Sequence, residues 1–242
     1  MNIRFFGTRG YVEEFSPTHR GHSALTIETE GFRLLCDYGE NLRGLLERIR
    51  PDAIAISHAH PDHSWGLKEG TAIPVFASTT THDILRDIPI EKRIALAPGK
   101  RQRIGPFWLS LLPVMHSVRC PCTAVRVAAK AGRILYSGDV VSFLEPEKAL
   151  RGVDLYIGDG STLAGSLVRR HKSGELIGHT TVRAQLGWLG RFGVPRAIFS
   201  HFGKGPIEMG DAALRERIRE LARDKAPECE VAIATDGATF QM

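Results

Sequence analysis

Short apolar runs bounded by Gly, Pro and Asp recur along the chain, and several of them end in residues that can bind metals. Residues 53–57, Ala-Ile-Ala-Ile-Ser, lie between Pro51-Asp52 and Pro61, a pattern that predicts a buried strand leading into a loop. Similar runs predict strands at residues 3–6, 24–28, 32–36, 74–77, 104–112, 124–129, 133–136, 155–157, 194–200 and 231–234.

Apolar residues at helical spacing alternate with these runs. The predicted helices cover residues 41–50, residues 80–86 with a threonine cap, the stretch after Thr180 or Thr181, and the stretch from Asp211 onwards. No linker, low-complexity segment or repeat divides the chain, so we expect one α/β domain over residues 1–242.

Composition narrows the class of protein. The chain has 242 residues, of which 43% are apolar, which is ordinary for a globular protein with a packed core. It contains no apolar run of membrane-spanning length, and its first residues resemble a strand rather than a secretory signal, so we expect a cytoplasmic protein with no membrane partner. The four cysteines show no disulfide framework.

The net charge of +5 is compatible with an anionic substrate such as a phosphodiester but does not establish one. Three basic clusters stand in predicted loops or at their margins: Lys92-Arg93, Lys100-Arg101-Gln102-Arg103 and Arg169-Arg170-His171-Lys172. If two of these clusters border one site, they form a rim that binds successive phosphates of a substrate. Otherwise each cluster is a separate solvated face.

The strand at residues 53–57 leads into Ser57-His58-Ala59-His60-Pro61-Asp62-His63. Two histidines two positions apart in an extended chain point to one side, and an Asp and a further His follow at once. The segment can therefore supply imidazoles to one divalent ion and a carboxylate with an imidazole to a second. Such ligands favour zinc, with manganese or iron as alternatives, while a solvated His-rich turn is the non-functional reading.

The stretch from His58 to His63 resembles the HxHxDH signature of the metallo-β-lactamase superfamily. The resemblance implies an αββα sandwich, in which two mixed β-sheets pack face to face with helices outside, and it implies two divalent metal ions. In that superfamily an Asp followed by Gly, here Asp37-Tyr38-Gly39, commonly supports the metal loop without binding metal.

Three later residues complete the ligand set that the resemblance implies. His116 ends a strand at the place where the superfamily has its next histidine, Asp139 of Ser137-Gly138-Asp139 matches its bridging carboxylate, and His201 ends a later strand. The expected first ion is held by His58, His60 and His116 and the second by Asp62, His63 and His201, with Asp139 between them.

The second half of the chain resembles the phosphodiesterase branch that includes ribonuclease Z. Asp159 ends a strand, and His179, followed by two threonines, opens a helix. In this branch such a pair is implied to protonate the leaving oxygen, so His179 is our candidate general acid, Asp159 its partner, and Asp62 the residue that orients the attacking water. A helix-capping or buried histidine is the alternative for His179.

Two departures from the branch limit the prediction of substrate. The residues between Ser142 and His179 have neither the length nor the composition of the Gly- and Pro-rich arm with which ribonuclease Z grips tRNA. After Ser200-His201-Phe202-Gly203, Lys204 stands near a position where an Arg is often found, and it is either a phosphate contact or an exposed residue.

Several residues with reactive side chains are predicted to be structural. Cys120-Pro121-Cys122 is one residue short of the usual metal or redox spacing, and His82 has no partner in the sequence. His19, Arg20 and His22 lie in a polar loop from which they either reach a substrate pocket or, as their lack of ligand spacing favours, remain at the surface.

Three functions remain open. The first is a dinuclear-metal phosphodiesterase or nuclease acting on RNA, single-stranded DNA or a cyclic nucleotide. The second is a metallohydrolase of a thioester, lactone or β-lactam, and the third is a metal-binding module without catalysis. Homodimers are common in the resembled branch, so the resemblance allows a homodimer, although no interface stripe in the sequence indicates one.

Overall fold

The computed structural model describes residues 1–242 and contains two mixed β-sheets. The first sheet begins with six strands that follow one another along the chain: β1 (Asn2–Gly7), β2 (Ala24–Thr29), β3 (Phe32–Cys36), β4 (Ala53–Ala55), β5 (Val75–Ala77) and β6 (Arg93–Ala95).

The second sheet and a separate hairpin follow. Their strands are β7 (Arg101–Ile104), β8 (Phe107–Met115), β9 (Cys122–Ala129), β10 (Gly132–Tyr136), β11 (Ser142–Phe143), β12 (Leu155–Asp159), the hairpin strands β13 (Arg169–Arg170) and β14 (Leu176–Ile177), β15 (Arg196–Ser200) and β16 (Glu230–Ile233). The last strand, β17 (Thr239–Gln241), returns to pair with β1 of the first sheet.

Seven α-helices connect the strands. They are α1 (Leu46–Ile49), α2 (Pro61–Ser64), α3 (Thr79–Ile84), α4 (Pro146–Leu150), α5 (Val182–Phe192), α6 (Lys204–Met209) and α7 (Asp211–Lys225), with short 3₁₀ helices at Glu40–Leu42 and Trp65–Glu69. None of them is long and apolar enough to cross a membrane.

Both sheets combine antiparallel and parallel pairing. The first has the order β17-β1-β2-β3-β4-β5-β6 and is parallel from β3 to β6. The second has the order β11-β8-β9-β10-β12-β15-β16, with β7 paired to β8, and is parallel from β10 to β16. Parallel strands buried on both faces explain why apolar and polar residues alternate so poorly in the sequence.

Three apolar layers hold the sheets and helices together. The layer between the sheets contains residues of both, such as Phe5, Leu25 and Ile134. Side chains that alternate with these along the strands point to the outer faces of the sheets. On the second sheet Leu135 therefore packs under α5 and α7, and on the first sheet Ile54 packs under α1 and α3. The predicted αββα sandwich, with two sheets face to face and helices outside, is confirmed.

Three predicted elements differ from those observed. The single helix expected at residues 41–50 is a 3₁₀ turn and a short α1, because Gly44 has a φ of +82° that interrupts the helix. The strand expected at residues 104–112 is a hairpin of β7 and β8 that turns at Gly105, where φ is +53°. The cap of α3 is Ser78 and not a threonine, since the Ser78 side chain accepts a hydrogen bond from the Thr81 backbone N–H.

Candidate metal centre

The predicted ligands lie at one edge of the sandwich. His58, His60, Asp62 and His63 follow β4 of the first sheet, and His63 and Asp62 lie in the short helix α2. In the second sheet His116 follows β8, Asp139 follows β10 and His201 follows β15, and these three strands run in the same direction. Because strands in one direction end at the same edge, residues far apart in the sequence meet there.

The seven side chains form two adjoining groups. One contains His58, His60, His116 and Asp139, and the other contains Asp62, His63 and His201; within each group the ligand atoms lie within 4.8 Å of one another. The Asp139 carboxylate faces both groups, since Oδ2 is 3.3 Å from His116 Nε2 and Oδ1 is 3.0 Å from His63 Nε2 and 3.2 Å from His201 Nε2.

Hydrogen bonds from outside the groups fix most of the imidazoles. The Nδ1 atom of His63 is hydrogen-bonded to Asp37 at 2.7 Å, and that of His201 to Ser23 at 2.8 Å. The Nδ1 atom of His58 is hydrogen-bonded to Ser57 at 3.0 Å, and that of His116 to the Gly178 carbonyl at 2.9 Å. These contacts leave Nε2 for the site. His60 is the exception, since its Nδ1 lies 3.0 Å from His58 Nε2 and 3.2 Å from His116 Nε2.

Asp37 supports the metal loop, as predicted, and belongs to neither ligand group. It is fully buried with a φ of +56°, a conformation that Asp tolerates better than most residues. Its carboxylate accepts hydrogen bonds from the Ser57 backbone N–H and hydroxyl, from His63 Nδ1 and from the Tyr136 hydroxyl, all at 2.7 to 2.8 Å. One carboxylate therefore joins the loop, a ligand and the second sheet.

The donor set fits divalent metal ions. His63 Nε2 and Asp139 Oδ1 are buried without a hydrogen-bond partner, although they lie 3.0 Å apart, and buried polar atoms are seldom left unpaired. Burial lowers the pKa of His63, but the carboxylates of Asp139, Asp62 and Asp37 outweigh it and raise the pKa well above its ordinary value. This concentration of carboxylates among imidazoles suits a zinc-like cation.

Asp159 and His179 meet beside the two groups. His179 Nδ1 donates to Asp159 Oδ2 at 2.8 Å, and the same carboxylate accepts the backbone N–H groups of Val140 and Ser161. Burial lowers the pKa of His179, but Asp159 and Asp139 outweigh it and raise the pKa to about 9. A ring nitrogen of His179 lies within 4.8 Å of ligand atoms of Asp139 and His201, so the imidazole reaches the centre.

Gln185 holds Asp159 in place and was not among the predicted site residues. It lies fully buried on α5, where its Nε2 donates to the Asp159 carbonyl at 2.6 Å and its Oε1 accepts from the Asp159 N–H at 3.0 Å and from the Tyr156 hydroxyl at 2.8 Å. The signal in the sequence is an amide on the apolar face that Val182, Leu186 and Leu189 form.

The centre opens into a cavity of about 980 Å³. Only one of the three basic clusters borders it, through Arg169 and His171, so the predicted rim of two such clusters does not form. Arg93 instead donates to backbone carbonyls that follow α3, and Arg101 lies over the Trp108 ring on the second sheet, away from the cavity. Lys204 does line the cavity, but it pairs with Glu14 and Glu208.

The remaining reactive residues have structural contacts. His19 and His22 are buried, which contradicts the expected surface position, because His19 bonds to Thr8 and Asp211 while His22 lies against Arg9. Neither they nor Arg20 lines the cavity.

The cysteine pair and His82 have structural surroundings as well. Cys122 is buried with its Sγ 3.6 Å from His58 Nδ1, and neither Cys120 nor Cys122 joins a ligand group. His82 is buried behind the first sheet, where its Nε2 lies 3.3 Å from the Ile94 carbonyl oxygen.

Comparisons with a family model and with individual known proteins agree on the relatives of this chain. The family model described as "Beta-lactamase superfamily domain" matches residues 33–202. A ribonuclease Z of Bradyrhizobium diazoefficiens is 24% identical over 254 aligned positions, which cover 92% of this chain and 80% of that protein.

Two solved structures show the same fold. The metallo-β-lactamase fold protein YhfI of Bacillus subtilis superposes with a TM-score of 0.76 at 18% identity, covering 99% of this chain and 98% of that one. The short form of human tRNase Z superposes with a TM-score of 0.70 at 21% identity, covering 100% and 99%. The chain therefore belongs to the beta-lactamase superfamily, as a metal-binding hydrolase of the metallo-β-lactamase fold that resembles ribonuclease Z.

Proposed function

We propose that the protein is a dinuclear-metal phosphodiesterase. The observation that carries this proposal is the position of Asp139, whose two carboxylate oxygens face two separate ligand groups, with the His179 and Asp159 pair directly beside them. A hydrolase of phosphodiesters needs stabilised charge at the phosphorus and a proton for the leaving oxygen, and this arrangement provides residues for both.

The two ligand groups would hold two divalent ions, with Asp139 shared between them. Zinc suits the mixture of imidazole and carboxylate best, and manganese or iron fits the same donors. When bound, such a pair of ions lowers the pKa of water and stabilises the charge that develops on a transferred phosphoryl group.

The protein's own side chains supply the proton transfers. Because Asp159 holds His179 Nδ1, the imidazole presents Nε2 to the cavity, from which it donates a proton to the leaving oxygen. The buried Asp159 carboxylate keeps that imidazole protonated and oriented. Asp62 lines the same cavity and is placed to orient the attacking water.

The relatives support a nucleic acid as the substrate. The names ribonuclease Z and tRNase Z denote enzymes that act on RNA, and we extend RNA, single-stranded DNA and cyclic nucleotides to this chain as candidates. The segment from Asp159 to His179, which borders the cavity, contains a loop and the short hairpin of β13 and β14 and no long arm, so tRNA maturation is not proposed.

The test compares substrates on the purified protein loaded with zinc or with manganese. We expect hydrolysis of bis-p-nitrophenyl phosphate and at most trace hydrolysis of nitrocefin or a thioester. A preference for nitrocefin or the thioester would replace the phosphodiesterase by the second function, and stoichiometric metal without hydrolysis of any substrate would favour the non-catalytic module.

The predictions of a single domain over residues 1–242, a homodimer and a cytoplasmic location stay predictions. Light scattering of the zinc-loaded protein measures the oligomeric state directly. A mass of one chain, 26.7 kDa, would contradict the homodimer.

A further inference from the structure

Two different surfaces border the mouth of the catalytic cavity. The loop at residues 10–12 lies against His201, since a Cβ built on Gly10 would be 3.0 Å from His201 Nε2. On the other side, the base of the β13 and β14 hairpin lies against His116, because the Gly178 backbone N–H donates to the His116 carbonyl at 2.9 Å. A substrate bound at the candidate metal centre would therefore extend between these two surfaces.

The surface beside His116 carries cations without partners. Arg119 and Arg169 are both exposed, and both line the cavity. Lys204 on the opposite side is paired with Glu14 and Glu208, whereas no carboxylate lies within ion-pair distance of Arg119 or Arg169. We name Arg119 and Arg169 the cationic rim, which is suited to binding phosphate groups.

Large apolar side chains are exposed at the same mouth. Tyr11 is 64% exposed and follows Gly10 on the His201 side, while Leu167 is 49% and Val118 is 37% exposed beside the cationic rim. Isolated exposed apolar residues are ordinary, but here three of them line one cavity together with unpaired cations. A cavity mouth that carries both cations and an exposed aromatic ring suits a ligand that contains both phosphates and bases.

We propose that the cationic rim and Tyr11 form a binding site for single-stranded nucleic acid, in which Arg119 and Arg169 bind phosphates next to the scissile one and a base stacks on Tyr11. This inference rests on the proposed function for the cleavage step only, because the binding itself needs no metal. A duplex keeps its bases stacked inside and cannot offer one to Tyr11, so the site selects single strands.

Fluorescence anisotropy tests the binding without catalysis. The probe is a fluorescein-labelled single-stranded RNA of about twelve nucleotides, with the corresponding duplex as the comparison, in EDTA so that no cleavage occurs. We expect Arg119→Ala with Arg169→Ala to weaken binding about tenfold and to reduce the slope of log K against log salt by about 1.4, since each phosphate contact on a single strand contributes about 0.7.

A matched control removes two other unpaired cations. Arg103 and Lys130 lie on the exposed far end of the second sheet, and we expect Arg103→Ala with Lys130→Ala to leave RNA affinity and salt slope nearly unchanged. If this control weakens binding as much as the rim variant, the RNA binds through general charge or on the far face, and the proposal is wrong.

Tyr11 has its own test. Tyr11→Ala should weaken binding of the single strand about 5- to 100-fold, whereas Tyr11→Phe should restore it, because stacking needs the ring and not the hydroxyl. Equal affinity of Tyr11→Ala and Tyr11→Phe would remove the stacking site, and tighter binding of the duplex than of the single strand would overturn the choice of ligand.

Catalytic assays separate this inference from the proposed function. With zinc bound, the rim variant should lose more kcat/KM on the RNA than on bis-p-nitrophenyl phosphate, with the loss mainly in KM. Hydrolysis of bis-p-nitrophenyl phosphate with equal losses on both substrates would reject the RNA site and keep the phosphodiesterase. Rim-dependent RNA binding without hydrolysis of either substrate would keep the site and reject the phosphodiesterase.

Discussion

The two sheets contribute to the candidate metal centre in different ways. The first sheet supplies four candidate ligands from six consecutive positions after β4, and one buried carboxylate, Asp37, fixes that segment. The second sheet supplies His116, Asp139 and His201 from the ends of three strands, and its strand register brings them together. A contiguous segment depends on one supporting residue, whereas dispersed ligands depend on the whole sheet.

The two sheets also share a local feature at this edge. Asp37 after β3, Gly138 after β10 and His201 after β15 have φ values of +56°, +56° and +57°. A residue with a left-handed backbone at the end of a strand turns the chain sharply. The side chain that then faces the centre is that of the residue itself at Asp37 and His201, and that of the next residue, Asp139, at Gly138. Such conformations in Asp and His are uncommon and concentrate at functional sites.

The largest expected effect tests whether both ligand groups depend on one residue, Asp139. Asp139→Ala removes the carboxylate that faces both ligand groups, so we expect metal content to fall in both and hydrolysis of bis-p-nitrophenyl phosphate to drop by more than about a thousandfold. Elemental analysis of the purified variant measures the metal. Full retention of two ions per chain would show that the halves bind metal independently.

His179→Ala separates metal binding from proton donation beside the second sheet. We expect unchanged metal content and a kcat lower by about 10²- to 10⁴-fold, the range for loss of a general acid. Steady-state kinetics and elemental analysis on the same preparation check both. Unchanged turnover would exclude the acid, and loss of one ion would make His179 a ligand.

Asp37→Asn and Ser23→Ala compare the supports of the two halves. Asn tolerates the same positive φ but removes the charge behind His63, so we expect metal affinity to fall about 10- to 100-fold. Ser23→Ala removes only a neutral hydroxyl from His201 Nδ1, and we expect a loss below about tenfold. Chelator competition measures both, and a Ser23 effect equal to that of Asp37 would contradict the difference.

The smallest expected effect is on the pH dependence of stability at His82, which lies among the helices outside the first sheet, away from the candidate ligands. Burial lowers the pKa of His82, with the Ile94 carbonyl and Asp83 opposing and Arg93 reinforcing the shift. The folded protein therefore binds fewer protons there than the unfolded chain, so His82 lowers stability as the pH falls through its unfolded pKa near 6.5, and has no such effect above it.

Urea unfolding of the wild type and of His82→Gln, in EDTA between pH 8 and pH 5.5, measures this contribution. The wild type should lose slightly more free energy of unfolding than the variant over that range. Parallel pH curves would show that burial does not act on His82 in this way.

The sequence was more informative about the ligands of the first sheet than about those of the second. The segment from His58 to His63 gave four candidate ligands by itself, because their spacing lies within one loop, and its resemblance to the HxHxDH signature implied the fold. His116, Asp139, Asp159, His179 and His201 could be placed only through a family resemblance, since nothing local distinguishes a histidine or an aspartate after a strand. The structure brings all of these residues to one edge.

Other features were decided by tertiary packing alone. The roles of Gln185, the hydroxyls of Ser23 and Tyr136, and Arg119 in the cationic rim became visible only when strands and loops met in space. The helix expected at residues 41–50 was interrupted by one glycine, and the buried His19 and His22 had the sequence pattern of surface residues. The sequence by itself determined periodicity and local ligand spacing, whereas contacts between distant residues depend on register and packing, which no short stretch encodes.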